Sequence, residues 1–541
     1  MSLKLRIFKD RLFTAGAQAS IALLVLALLV VLGPIFSRGF SAVVFKGTSE
    51  FRRLQYDSYG RGNKESVHTE REAAAKLICE IYDELAQFGA AIDTDALEDG
   101  AKDIYRDYGR ELRLKDADSD EYGRLRDKAK DLRDKFIDSL EADSPEEAKS
   151  AIDEILASRT DADFAGSCFE QFFALAANYG RICGRVDFSR KDEYRKSLAE
   201  VQRITAMLYG PDPRLEQPPL IMEQYGATRK DMADKALNEL LYKTVWEAES
   251  GSDVLAKRFV SRKEDFAGTP LESFFDKLPE KTEAIMSPRT TIYWQYFIDD
   301  STPGHYFGGV GPEIIGTLLL TLVAMLIAVP LGVTAAAYLV ECAGETLSVR
   351  IIRGFVNTLA GVPSIVFGLF GLAFFVMVLL PAFGADGTPC ILTAAMTLAV
   401  LVLPVIIRSS EEAIRAVPRS YKEASLALGA GNLRTFILVT LPAAMPGILT
   451  GIILSLSRAA GETAPILFTG AVALGPLPKS IFSQTRTLSY GSYDIAVGDR
   501  LAMMVPHKQY GMVATLIVLV LLLNLIAILI RSKMSARLKG I

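Results

Sequence analysis

The chain runs to 541 residues, 50% of them hydrophobic and 23% charged, with a formal net charge of −4. That length exceeds one ordinary soluble domain, and so much of both residue classes coexists only where charge is segregated along the chain. Nothing in this balance points to nucleic acid, and five dispersed cysteines without CxxC or His-rich spacing lack the usual metal-ligand patterns.

The first element is an uncharged run over residues 12–37, preceded by the basic stretch "MSLKLRIFKDR". It is longer than a signal-peptide core and closes without a small-x-small cleavage site. An uncleaved first membrane span is therefore expected, within a segment 1–37 that includes a cytoplasmic N-terminus. Residues 38–312 hold most of the charge and read as a helical insert. The stretch 73–88 puts Leu77, Ile81 and Leu85 on one face. Over 120–142, Tyr122, Leu125, Ala129, Leu132, Phe136 and Leu140 recur at near 3.5-residue spacing, which predicts short coiled-coil-like hairpins. The loop "PDPRLEQPP" at 211–219 divides the insert into two helical groups. Cys168 and Cys183 can pair only from different helices, since fifteen residues along one helix separate them by about 22 Å; free buried thiols are the alternative. His68, His305 and His507 fit no ligand or catalytic pattern and read as surface or interfacial residues.

Five more uncharged runs, 314–340, 354–385, 387–407, 435–457 and 509–530, each suffice to cross a ~30 Å hydrocarbon core. The fold class is thus all-α: a polytopic membrane protein with six spans, the last five in a core over 313–541. Pro330, Gly361 and Pro363 permit kinks that neighbouring helices must re-satisfy. Gly447 and Gly451 form a GxxxG pair that lets helices approach closely, consistent with a dimer interface. Lysines and arginines cluster at the N-terminus, after the second and fourth runs and in the C-terminal tail, while the turn "PAFGADGTP" has none. The side richer in these residues is cytoplasmic, so both termini are expected there, with 38–312 and 463–508 on the far side. No nucleophile–base constellation appears, so enzyme chemistry is not expected.

The loop 408–442 reads "RSSEEAIRAVPRSYKEASLALGAGNLRTFILVTLP". Ser409 with Glu412 and Ser420 with Glu423 have capping-box spacing. Pro418 separates two short helices, and Gly429 supplies a left-handed stop after 421–428. A short stiff helix of this kind can seat in a groove of a soluble partner. The pattern Glu423-Ala424-Ser425, Gly429, Val439, Leu441-Pro442 resembles the EAA loop of ABC importer permeases, with Ser425 for the usual second alanine and Val439 for isoleucine. The resemblance implies that this helix, Tyr421 and Lys422 included, docks into a nucleotide-binding subunit. No GxxxxGK[ST] loop is present, and "GPEIIGT" lacks the lysine. ATP and Mg²⁺ would therefore bind in a separate ATPase, with no cofactor and no metal in this chain.

Three further stretches, "VNTLAGVPSIVFGLFGL", "LPVIIRSSEEAIRAVP" and "RAAGETAPILFTG", resemble the phosphate-specific importer permease of the PstA type over residues 310–531. Most of the insert has no counterpart in that pattern. The resemblance implies a type I importer fold in a bacterial inner membrane. It also implies a sister permease of the PstC type, an ATPase dimer and an extracytoplasmic phosphate-binding protein, with membrane lipid around them. Arg458 and Glu462 then acquire a role. Arg458 lies sixteen residues past Pro442, about 24 Å along a helix, and a charge placed so in a span faces a bundle interior or pathway by default. The i,i+4 order, arginine before glutamate, is the less favourable one for helix stability. A guanidinium grips a tetrahedral oxyanion in bidentate fashion, and Glu462 can accept a hydrogen bond from a protonated phosphate oxygen. Arg408 is a second pathway candidate or a positive-inside anchor. A permease for sulfate or molybdate, or a membrane-embedded phosphate sensor or scaffold, are the competing readings.

Overall fold

The computed structural model describes residues 3–114, 119–142, 144–186, 190–215, 226–248, 255–344, 346–472, 474–497 and 505–538. It divides into two compact units, Met1–Phe45 with Thr291–Ile541, and Lys46–Thr290.

Among the described residues of the first unit, six helices are long and apolar enough to cross a membrane: Leu12–Phe40, Gly311–Cys342, Ser364–Ala382, Ile391–Arg415, Asn432–Gly461 and Pro506–Ala536, here spans 1 to 6. Span 4 is the most enclosed, packed between spans 2 and 5, and span 1 lies against span 6. The third apolar run divides: an amphipathic helix, Leu347–Leu359, precedes span 3, and the chain breaks at residues 360–363 where Pro363 cannot continue a helix. Pro330, by contrast, stays inside a continuous helix. Before Pro442 the chain takes a π-helical turn, Phe436–Thr440, an adjustment suited to a proline that offers no N–H to the preceding turn.

The GxxxG pair serves a contact inside the chain. A Cβ on Gly451 would lie 1.7 Å from Ser409 Oγ, and one on Gly447 would lie 2.6 Å from the Ala413 Cβ. These glycines let span 5 press onto span 4, so they are not free to build a subunit interface.

The second unit is mainly helical and also holds an antiparallel ribbon of Tyr242–Ala248 and Leu255–Ser261 that periodicity missed because it is two short strands beside a helix. The helix periodicities hold: Ile81, Leu85, Leu125, Ala129, Leu132 and Phe136 are buried. Caps mark the helix starts, with Asn63 accepting from the Glu65 amide (2.9 Å) and Ser144 from the Glu147 amide ahead of Pro145. The grouping differs from the expected one. Helices between Thr94 and Gly180 share one core, while Lys64–Ile92, Lys191–Tyr209, Lys230–Leu241 and Glu272–Met286 share another. Aromatic contacts explain this, because Phe88, Tyr194, Phe266 and Phe275 meet at 5.6–6.2 Å. The 211–215 loop therefore lies within one group rather than between two, and residues 216–219 of it fall outside the described residues.

Cys168 and Cys183 are free. Burial, and then Glu111, push the Cys168 thiol up to about 12. Phe136 is fully buried against Phe172 and Tyr179. Phe136→Ala should cost about 3–5 kcal/mol, read as a lower proteolysis-resistance temperature of the insert in the full chain.

Candidate functional site

Span 5 carries Arg458 on its last turn and ends at Glu462, where the backbone turns extended (φ −75°, ψ 132°). The Arg458 Nε stands 3.4 Å from Glu462 Oε1, longer than the ~2.7–2.9 Å of a close charge-assisted bond. No other described residue bonds the guanidinium, and the two side chains are 35% and 21% exposed. The outer edge of the fork is thus open to a ligand. Beside it, Ser457 donates to Asn524 Oδ1 of span 6 (2.8 Å), and Ser489 Oγ donates to the Glu462 carbonyl (3.3 Å).

Ser489 belongs to a segment that also carries a buried arginine. Arg486 is 4% exposed. Its Nη1 and Nη2 reach Asp300 at 2.6 and 3.1 Å, its Nε donates to the Gly475 carbonyl at 2.7 Å, and Glu313 lies 3.5 Å away. Lys508, 2% exposed, donates to Ser301 Oγ (3.0 Å) and the Gly308 carbonyl (2.9 Å). Ser301 in turn meets His305 Nδ1 at 2.8 Å. Burial, and then Lys508 and Arg486, push the His305 imidazole down to about 3, so it is neutral at physiological pH. The two cations clamp the segment ahead of span 2 onto the starts of spans 2 and 6. Of the histidines read as surface or interfacial residues, His305 and His507 are buried, at 5% and 8% exposure, next to the starts of spans 2 and 6; His68 is exposed beside Glu72.

At the opposite end of span 2, Glu341 accepts an ion pair from Lys422. Glu313 and Glu341 are twenty-eight residues apart, or about 40 Å of helix. Lys422 belongs to the helix Arg419–Ala427, none of whose residues is buried. Tyr421 is 55% and Leu428 90% exposed, and Gly429 takes φ 86° as its stop. Ser425 Oγ meets Thr435 Oγ1 at 2.9 Å, bracing the helix against the start of span 5. Glu423 and Ala424 are exposed, and Leu441 and Pro442 open the straight part of that span. Neither predicted capping box forms. Ser409 lies within the unbroken helix Ile391–Arg415 and donates to the Ile406 carbonyl (3.2 Å); Ser420 lies inside a helix whose cap is Pro418. A serine caps only where its own backbone is still non-helical.

Arg408 likewise sits two turns before the end of its helix, exposed and without a bonding partner among the described residues. Its neighbour Ser409 packs at the level of Gly451, seven residues or about 10 Å of helix from Arg458. The pair Arg458–Glu462 is brought together; Arg408 is not bonded to it.

The family described as binding-protein-dependent transport system inner membrane component matches residues 328–540. The phosphate transport system permease protein PstA 1 of Mycobacterium tuberculosis is 34% identical over 252 residues, which cover 44% of this chain and 76% of that protein. The chain belongs to the PstA-type ABC permeases. PstA of Mycobacterium leprae is 33% identical over 261 residues (46% of this chain, 79% of the relative). A probable ABC transporter permease, YqgI of Bacillus subtilis, is 34% identical over 258 residues (45% and 84%). Among solved structures, an inward-facing MetNI methionine transporter aligns at 20% identity and TM-score 0.32, covering 42% of this chain and 95% of that one.

This PstA-type permease is a membrane protein and a transporter component, and the unit Lys46–Thr290 lies outside the family match. Sequence reasoning missed its buried charge cluster. The available signal was a glutamate and a lysine, Glu313 and Lys508, each immediately before an apolar run.

Proposed function

We propose that this chain is the permease subunit of an ATP-driven importer of inorganic phosphate, with Arg458 and Glu462 on the substrate path. The observation that carries the reading is an arginine fork at the end of a span, open along one edge and held loosely by Glu462 (3.4 Å). An oxyanion can take bidentate bonds from such a fork without first breaking a tight ion pair. The names of the relatives, phosphate transport system permease proteins, support phosphate as the cargo. Arg408, lower on the same path, would receive the anion toward the inner side.

In this reading the helix Arg419–Ala427 seats in a separate ATPase that holds ATP and Mg²⁺. Its movement drives alternating access. A sister permease of the PstC type and a phosphate-binding protein complete the assembly in the inner membrane. Both termini lie in the cytoplasm and 38–312 outside it.

Uptake of labelled phosphate, with labelled sulfate as control, tests the proposal in cells lacking the chain and given it back intact or altered. The intact chain should restore phosphate uptake alone, and Arg458→Gln and Glu423→Lys should each lower it at least tenfold at equal membrane abundance. Equal restoration of sulfate uptake points to a general oxyanion permease. Unchanged uptake with altered phosphate-responsive gene control points to a sensor and overturns the transport reading.

A further inference from the structure

We propose a phospholipid site between spans 1 and 6, taking one anionic lipid with an acyl chain in the groove and its phosphate at Arg38. The groove encloses about 820 Å³ and is almost wholly apolar. Its walls include Phe36 and Phe40 of span 1, Phe297 ahead of span 2, and Val518 and Leu522 of span 6. Its existence follows from small residues. A Cβ on Gly39 would meet the Ala514 Cβ and the Tyr510 carbonyl oxygen, both at 2.8 Å, and one on Gly511 would meet the Ala42 Cβ at 2.8 Å. The two helices therefore touch at this level, and the groove runs beside the contact, lined by Gly39 and Gly511 themselves and by the flanking phenylalanines.

Length and polarity identify the occupant. From Gly511 to Leu522 the groove follows span 6 for about 17 Å, close to half of a ~30 Å hydrocarbon core. It is thus one leaflet deep, whereas a partner's transmembrane helix would need both. A cation and a hydroxyl adjoin the lining residues Ser37, Gly39 and Gly511 in the chain: Arg38 Nη1 donates to the Tyr510 hydroxyl (2.8 Å), its guanidinium carbon 5.1 Å from that ring's centre. Tyrosine with arginine at a span end suits the headgroup layer. A cation with a hydroxyl beside a one-leaflet apolar slot is the complement of an anionic lipid. The site matters mechanically because span 1 meets the rest of its unit mainly through span 6, so a bound chain would fill the gap between them.

The test is native mass spectrometry of the full chain released from bilayers of phosphatidylglycerol and phosphatidylcholine in equal parts. The wild type should retain one phospholipid, enriched in phosphatidylglycerol. Arg38→Gln should lower that enrichment about fivefold, the worth of one arginine near anionic headgroups. Val518→Trp, which fills the slot, should abolish retention, while Ile526→Trp, at an exposed position of the same helix outside the slot, should not. Retention that is equal in all four proteins overturns the proposal. So does cross-linking from Val518→Cys to another polypeptide, and not to a photoreactive lipid, in intact membranes. None of these outcomes depends on whether Arg458 lies on a phosphate path.

Discussion

Arg486→Met is expected to remove most of this chain from the membrane. The guanidinium is buried, bonds Asp300 at both ends of its fork and faces Glu313 at 3.5 Å. Glu313 is 1% exposed, and neither of its carboxylate oxygens has a hydrogen-bond donor among the described residues. Removing one partner of a buried pair costs about 3–5 kcal/mol, because the other charge stays behind. Against a typical 5–15 kcal/mol of total stability that is a large loss. Membrane abundance by immunoblot and thermal midpoint in detergent read it out. The cause is separable from lost packing: Glu313→Gln added to Arg486→Met should recover part of the midpoint, since no bare carboxylate remains. A double variant no better than the single one would show that Arg486 acts by shape alone.

The same cluster sets a pH dependence. His305 is held down to about 3 in the fold by burial first and then by Lys508 and Arg486, while an unfolded imidazole titrates at about 6.5. The folded form binds fewer protons between those values, so stability is full above about pH 6.5 and falls as the pH drops toward 3. At pH 5 the loss should be about 2 kcal/mol. Asparagine tolerates the left-handed backbone at this position (φ 60°), so His305→Asn should flatten the midpoint between pH 7 and 5.

Which features were legible in the sequence follows from how local their physics is. The six spans are set by long uncharged runs, and the turn at Gly429 by one residue able to hold φ 86°. The amphipathic rows of the insert are likewise near-neighbour patterns. Arg458 and Glu462, four residues apart, are also local, and their ion pair forms. The grouping of the insert helices was not legible, because Phe88 and Phe266 are far apart in the chain and meet only through packing. The clamp of Arg486 and Lys508 on the 300–308 segment joins positions about two hundred residues apart, and no periodicity encodes that. The capping boxes failed for another reason: Ser409 and Ser420 have the right spacing, but spacing cannot say that the backbone at Ser409 is already helical.

On the importer reading, Lys422→Glu should uncouple transport while leaving the chain folded. Lys422 is the residue of the exposed helix Arg419–Ala427 that ion-pairs with Glu341 at the end of span 2. That helix is joined covalently to spans 4 and 5, so this pair extends its hold to a third span. Span 2 runs on to Glu313 and the Arg486 clamp about 40 Å away, so it joins the two ends of the spans through one helix. A second network stands beside it: Glu411 accepts from Arg415 (2.7 Å) and lies 2.9 Å from Arg353 of the amphipathic helix before span 3. Coupling free energies between sites commonly run to 1–3 kcal/mol, or about 5- to 150-fold. Phosphate uptake in the Lys422→Glu variant should fall within that range, with membrane abundance and basal ATP hydrolysis of the assembled complex unchanged. Reversing both charges, Lys422→Glu with Glu341→Lys, restores attraction in the same geometry and should recover most of the uptake. Had Lys422 acted only by touching the ATPase, the reversed pair would remain as defective as the single variant.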